Sequence, residues 1–321
     1  MTPAQAGTVL ITGPTSGLGK VLALELANRG APGRPDLLLA GRPGDRLTEI
    51  TDAVRAAGAT AEPIPCDLAS LADVRAAATA AKDLLAMGAV RPLRVLVANA
   101  GIMSMDLRAA TADGYEKTFA VNYLAHAQLI SDLRDSFTTP ARIVLLGSNV
   151  YRGDLPRRMM GVPGPHWRDP AGLARPATGD KPTGMKASGV AYANAKLAIL
   201  YYAHELQRRV GDGIGVAVFE PGWMPGTGLG REASPALQVM GRALTHLPGT
   251  TTPARSGPAL ASLALDDRWA HLRDGAFIVI DKEAGVLPHG HDRAREQRLW
   301  EATGELLNEA ANRRRREQGC T

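Results

Sequence analysis

The chain reads as an α/β protein: a doubly wound parallel sheet of seven strands, folded as a single domain with helices on both faces. Three observations carry this. Short apolar runs alternate with stretches of helical period along nearly all of the 321 residues. The runs are apolar at successive positions, as in strands buried on both faces. A glycine-rich turn, GPTSGLG (13–19), separates the first run from the first helical stretch, where such folds bring backbone close to a ligand.

The elements follow in order. TVLIT (8–12) is a strand and Leu18 to Arg29 a helix. DLLLA (36–40) is a strand, followed by a helix from Leu47 to Ala57. AEPIPC (61–66) is a strand, followed by a helix from Leu71 to Met87. LRVLVAN (93–99) is a strand, and one long helix runs from Asp113 to Ser136. ARIVLLG (141–147) is the fifth strand. A helix from Ala191 to Val210 leads to IGVAVFE (214–220), and FIVI (277–280) closes the series. Seven strands in one series place residues 1–310 in one domain, with 311–321 a basic tail without fixed structure. Two stretches break the rhythm. Residues 149–188 are rich in Pro, Gly and Arg, and 151–187 reads as an insertion or lid. Residues 221–250 open on Pro221-Gly222 and read as a substrate loop. Both follow strands, so both emerge at the carboxyl edge of the sheet.

Composition narrows the function. The chain is 45% hydrophobic but only 4% aromatic, so its core is built from Ala, Val, Leu and Ile. No apolar run reaches the ~20 residues that span a bilayer, and the N-terminus lacks a secretory pattern. This implies no integral membrane segment. Cys66 and Cys320 do not form a disulfide framework, which fits a reducing, cytoplasmic compartment. The net charge is +5. The arginines are scattered except for Arg313 to Arg316, and no helix-turn-helix, zinc pattern or aromatic platform accompanies them, which argues against nucleic acid. His289 and His291 lack a companion ligand, so no metal is expected.

Gly13, Gly17 and Gly19 form G-x-x-x-G-x-G between strand and helix. The turn lets backbone N–H groups approach an anion. By itself it is also compatible with a tight connection that binds nothing. No Lys-Ser follows, which argues against phosphoryl transfer.

With its context, T-G-x-x-x-G-x-G (Thr12 to Gly19) resembles the cofactor loop of short-chain dehydrogenases/reductases. Further marks line up in order: Asp67 in CDL, Asn99 in VANAG, Asn122 in VNYLAH, Ser148 in LLGSN, YANAK at 192–196 and PG at 221–222. The resemblance implies a Rossmann-like fold. It implies cofactor contacts from Gly13, Thr15, Ser16, Gly17, Leu18, Gly19, Asp67, Leu68, Asn99, Ala100, Gly101, Tyr192, Lys196, Pro221, Gly222, Trp223 and Thr227. The second strand ends in LLLAGR, without an acid for a ribose hydroxyl. Arg42 stands there instead and suits a 2′-phosphate, so the expected cofactor is NADP(H).

Tyr192 and Lys196 are four apart on a helix and share a face. A nearby ammonium favours the phenolate and should lower the Tyr192 pKa. The resemblance implies that Tyr192 is the general acid/base, that Lys196 holds the nicotinamide ribose, that Ser148 binds the substrate oxygen, and that Asn122 bends its helix and holds a water. Three departures stand out. Ser148 and Tyr192 are separated by a far longer gap than is usual in the family. Gly226 occupies the place of the usual carboxamide-binding Thr, leaving Thr227 as substitute. Trp223 follows PG.

The insertion, TGLGRE (227–232) and the C-terminal stretch 277–307 resemble the branch of light-dependent protochlorophyllide reductases and retinol-dehydrogenase-like enzymes. Those photoreductases carry a cysteine where Trp223 stands, which argues against protochlorophyllide itself. The expectation is hydride transfer between nicotinamide and a carbonyl/alcohol carbon of a fairly large apolar small molecule. His166, Trp167, Arg157, Arg158, Arg168 and Arg175 in the insertion either meet a polar part of it or are solvated. The alternatives are reduction of an enone-type C=C bond and a non-catalytic NADP(H)-binding regulator. The family resemblance also implies a homo-oligomer through the helices after the fourth and fifth strands, with the insertion placed to obstruct it.

Overall fold

The computed structural model describes residues 7–155, 158, 162–179, 184–224 and 250–319. Arg157, Gly226, Thr227, the TGLGRE stretch and Cys320 lie outside these. The expected strands form one sheet: β1 (Thr8–Thr12), β2 (Asp36–Gly41), β3 (Ala61–Pro65), β4 (Leu93–Ala98), β5 (Phe137–Leu146), β6 (Ile214–Glu220) and β7 (Ala276–Val279). The sheet order is 3-2-1-4-5-6-7, all parallel. An eighth strand, β8 (Lys282–Glu283), turns back antiparallel on β7. It is too short to show a period in the sequence.

Helices cover both faces. On one side α1 (Gly17–Ala27), α2 (Asp45–Ala56) and α8 (Pro253–Leu265) pack on Val9, Ile11, Leu37, Leu39 and Val97. On the other, α3 (Leu71–Ala86), α5 (Ala125–Leu133) and α7 (Met185–Arg209) pack on Leu10, Leu38, Ile64, Leu96 and Ile143. Alternate residues of each strand serve opposite cores. Leu47, Ile50, Thr51 and Val54 make the buried stripe of α2 at helical spacing. Gly257 lets α8 lie close on α1, since a Cβ there would fall 2.3 Å from Val21 Cγ1.

Three expectations are corrected. The long helix after β4 is broken: α4 (Lys117–Phe119) passes into a π-helical segment, Ala120–Leu124, before α5. The stretch 149–188 is not irregular throughout. It holds a 3-10 turn (Asn149–Arg152), a short helix α6 (Pro170–Leu173) capped by Asp169, and the first turn of α7. The basic tail is helical as far as Gly319, because α9 (Arg293–Gly319) runs into it. Leu299, Leu306 and Ala310 seat α9 on the core, with Ala302 buried on the same helix, Arg313 pairs with Glu309 at 3.2 Å, and its guanidinium lies 5.3 Å from the Tyr115 ring centroid.

Buried charges also hold α9 down. Glu296 accepts from His204 Nδ1 at 2.8 Å and from Arg208 at 2.6 Å, and His291 reaches the same carboxylate at 3.2 Å. With Arg208 on its second oxygen, Glu296 is neutralised by an ion pair. No helix among the described residues is long and apolar enough to cross a membrane.

Candidate active site

A cavity of about 550 Å³ opens at the carboxyl edge of the sheet, at the switch in strand order between β1 and β4. Most of the expected residues line it: Gly13 and Thr15 to Gly19 from the turn, Arg42 from the end of β2, Asp67 and Leu68 after β3, Asn99 to Gly101 after β4, and Tyr192, Lys196 and Pro221. A smaller hollow of about 330 Å³ lies around Asp36 and Arg91, at the opposite ends of the strands.

The turn is shaped by close backbone contact. Gly13 and Gly17 have φ of +67° and +56°, which glycine adopts without a Cβ penalty. A Cβ on Gly19 would fall 2.2 Å from Gly13 O and 2.5 Å from Asn99 Nδ2. That packing presents the N-terminus of α1 to the cavity, a site suited to an anion. Asn99 ties the two sides of the switch together. Its Nδ2 donates to Thr12 O at 2.9 Å and Gly13 O at 3.3 Å, and its backbone N–H donates to Thr12 Oγ1 at 3.0 Å. Arg42 stands exposed on the cavity wall. Asp67 accepts from the backbone N–H of Ala69 at 3.0 Å, holding its own turn. A bare glycine cradle, a helix N-terminus and a cation at the end of β2 fit a phosphorylated dinucleotide.

Tyr192 and Lys196 are buried side by side on α7, 8% and 3% exposed. Lys196 Nζ donates to Leu146 O at 2.5 Å and lies 5.5 Å from the Tyr192 ring centroid. Ser148 caps the 3-10 turn after β5, accepting from Val150 N–H at 3.3 Å, and hydrogen-bonds Tyr192. Burial brings Lys196 down to about 8, with Glu220 opposing. Tyr192 corrects the expectation of a lowered pKa. Burial pushes it up, Glu220 adds to this, and the Ser148 hydrogen bond opposes. Removal from water dominates here, and the side chain stays a phenol.

Asn122 is at the centre of the π segment and 1% exposed. Its side chain is spent on the chain after β4, accepting from Ile102 N–H at 2.7 Å and donating to Ile102 O at 2.8 Å. Gly222 has φ of +84° and donates to Glu220 at 2.9 Å. Trp223 accepts from Thr251 N–H through its carbonyl at 2.8 Å. In the insertion, Trp167 packs edge-on against Tyr201 with centroids 4.9 Å apart, and Arg158 donates to Gly153 O at 2.7 Å. His166, Arg168 and Arg175 are exposed. His289 pairs with the Tyr151 carbonyl at 2.9 Å, whereas His291, contrary to expectation, does not lack companions: His204, His291 and Glu296 bring their possible ligand atoms within 4.8 Å of one another.

The sequence reading missed several residues. Lys117, Met103 and Met224 line the cavity and belong to no motif. Glu220 binds the backbone N–H groups of both Asn149 and Gly222. Its signal was present: an acid ending an otherwise apolar strand directly before Pro221. Cys66 also lines the cavity, with burial pushing its thiol up to about 12, so it is no nucleophile at neutral pH.

A nucleotide cradle and a buried Tyr–Lys pair with the half-buried Ser148 beside it, at one sheet edge, define a dinucleotide-dependent oxidoreductase. The family model for short chain dehydrogenase matches residues 7–158. Polyprenol dehydrogenase of Mus musculus is 32% identical over 93% of this chain and 83% of its own. Protochlorophyllide reductase A of Oryza sativa subsp. japonica is 30% identical over 94% of this chain and 80% of its own. A blue fluorescent protein from a metagenomic library, solved in complex with NADPH, superposes with a TM-score of 0.61. It is 24% identical and covers 86% of this chain and 96% of its own. The chain belongs to the short-chain dehydrogenase family.

Proposed function

We propose that the chain is an NADP(H)-dependent reductase or dehydrogenase acting at a carbonyl/alcohol carbon of a fairly large apolar small molecule. The observation that carries it is the buried pair Tyr192 and Lys196 on the wall of the nucleotide cavity, with Ser148 half-buried beside Tyr192. The cofactor supplies or accepts the hydride. Ser148 holds the substrate oxygen, and the Tyr192 phenol gives it a proton as the alkoxide develops. The raised proton affinity of Tyr192 keeps that proton in place until then. Lys196 contributes positive charge beside the phenol and holds a ribose hydroxyl. Asn122 holds the helix break and the chain at Ile102. Gly13, Thr15 to Gly19, Asp67, Leu68, Asn99 to Gly101, Pro221 to Trp223 and Thr227 receive the rest of the cofactor, with Arg42 on the 2′-phosphate.

The similarity to an enzyme of polyprenols supports an apolar substrate. The similarity to a protochlorophyllide reductase favours C=C reduction as the second reading, with Tyr192 protonating carbon. The test follows NADPH consumption over a panel of apolar ketones, aldehydes and enones, with Tyr192→Phe alongside. Turnover by the native chain that the variant loses, with NADPH binding retained, supports the reading. Its product distinguishes C=O from C=C chemistry. Equal turnover by both chains overturns it.

A further inference from the structure

Between the nucleotide turn and the helix break lies a buried side chain, the last residue of VNYLAH, to which neither the family resemblance nor the proposed mechanism gives a role. His126 is 2% exposed, one turn beyond Asn122. Its Nε2 is 3.0 Å from Thr12 Oγ1 and its Nδ1 is 3.1 Å from Asn122 O. Thr12 ends β1 directly before Gly13. Asn122 is the middle residue of the π segment. The imidazole therefore joins the floor of the cofactor cradle to the break in the helix beside Lys196.

The proton positions in this chain follow from counting. A hydroxyl has one proton and two lone pairs. Thr12 Oγ1 accepts from Asn99 N–H at 3.0 Å and Ala100 N–H at 3.1 Å, which uses both lone pairs. Its own proton must then go to His126 Nε2. The ring is neutral, and its one N–H is on Nδ1, directed at the Asn122 carbonyl. The alternative tautomer would leave two donors facing each other at Thr12 and a carbonyl facing a bare nitrogen, both buried. Burial agrees: it favours the neutral ring and brings its pKa down to about 4.

Resting on the proposed function, we propose that His126 is a positioning residue with two separable tasks, orienting the Thr12 hydroxyl that shapes the cofactor cradle and donating to the Asn122 carbonyl that sets the helix break beside the catalytic pair. The first task acts on cofactor affinity, because Thr12 fixes Asn99 and Ala100, which line the cavity. The second acts on turnover, because Asn122 fixes Ile102 and the π segment. A residue that merely filled space would affect both together or neither.

Two substitutions divide the tasks. An Asn amide reaches the place of Nδ1 and can donate to Asn122 O, leaving Thr12 without its acceptor. A Gln amide reaches the place of Nε2 and can accept from Thr12, leaving Asn122 O without its donor. His126→Asn should weaken NADPH binding by roughly 10-fold in a fluorescence titration while holding kcat within about threefold. His126→Gln should hold the NADPH Kd within about threefold and lower kcat by roughly 10- to 100-fold. Long-range 15N–1H spectra of the native chain at pH 7 should show the neutral Nδ1–H tautomer. The Nε2–H tautomer, or a charged ring, overturns the proposal, and so do variants in which Kd and kcat shift together. If the native chain turns nothing over, the proposed function fails, while the tautomer and Kd measurements still decide the role of His126.

Discussion

The ammonium of Lys196 lies 5.5 Å from the ring centroid of Tyr192, with its Nζ held by the Leu146 carbonyl at 2.5 Å. Both are buried, and burial acts on them in opposite directions, pushing the phenol up and bringing the amine down to about 8. The neutral form is favoured in each. Glu220 acts on both in one direction, since a nearby carboxylate favours the protonated state of either partner.

The first prediction follows from that asymmetry. A reduction that needs Lys196 charged and Tyr192 protonated loses rate as pH rises through about 8, where the amine gives up its proton. Glu220→Gln removes the carboxylate charge that supports the proton on Lys196. The alkaline limb of kcat/KM should then move to lower pH, by about one unit. A limb that stays in place, or moves to higher pH, contradicts the assignment of Glu220 to this pair.

Gly19→Ala and Gly17→Ala separate two reasons for glycine. At Gly19 the new methyl would meet Gly13 O at 2.2 Å. That neighbour is backbone and cannot swing aside, so the turn itself must move. NADPH binding should be lost, with about 1–3 kcal/mol of stability. At Gly17 the space is open, and only the φ of +56° is strained. This variant should lose about 1–2 kcal/mol. Thermal melts with an NADPH titration check both, and equal binding losses would mean that the contact at Gly19 is not what shapes the cradle.

How much of this was legible depends on how local each signal was. Most of the seven strands announced themselves through apolar runs, although β3 alternates and β5 carries polar residues in its first half, and the helices between them imply parallel pairing but not the observed 3-2-1-4 order. Gly13 to Gly19 and Tyr192 to Lys196 were legible because the residues that cooperate lie within one turn or one helix face. The π segment was not, since no local pattern separates Ala120–Leu124 from an ordinary helix. Arg313 to Arg316 looked like a solvated tail, yet the apolar spacing of Leu299, Ala302, Leu306 and Ala310 carries α9 into them. His126 sat in plain sight at i+4 from Asn122. Its significance needed Thr12, 114 positions away in the chain. The proton affinity of Tyr192 was misjudged because burial cannot be read from spacing.

Cofactor choice can be tested at Arg42. The side chain is exposed on the cavity wall at the end of β2, where a 2′-phosphate would accept charge-assisted hydrogen bonds. Arg42→Asp replaces attraction by repulsion for NADPH and offers NADH a ribose acceptor. The kcat/KM for NADPH should fall by roughly 100-fold, with that for NADH unchanged or raised. Equal losses with the two cofactors would mean that Arg42 does not read the 2′ position.

Acid stability should carry the mark of His126. Burial brings its pKa down to about 4 in the folded chain, from an ordinary 6.5. A histidine with a lowered folded pKa binds fewer protons folded than unfolded in that interval, so stability rises with pH there. The contribution is fully present above about 6.5 and is lost as pH falls toward 4, to a total of about 3 kcal/mol. His204 is also lowered by burial and adds a slope of the same sign, so the comparison must be with a variant at His126 alone. Urea unfolding of the native chain and His126→Asn at pH 7, 5.5 and 4.5 measures the difference. The native chain should lose more stability than the variant across that range. Parallel pH dependences would mean that the ring is not held neutral by the fold.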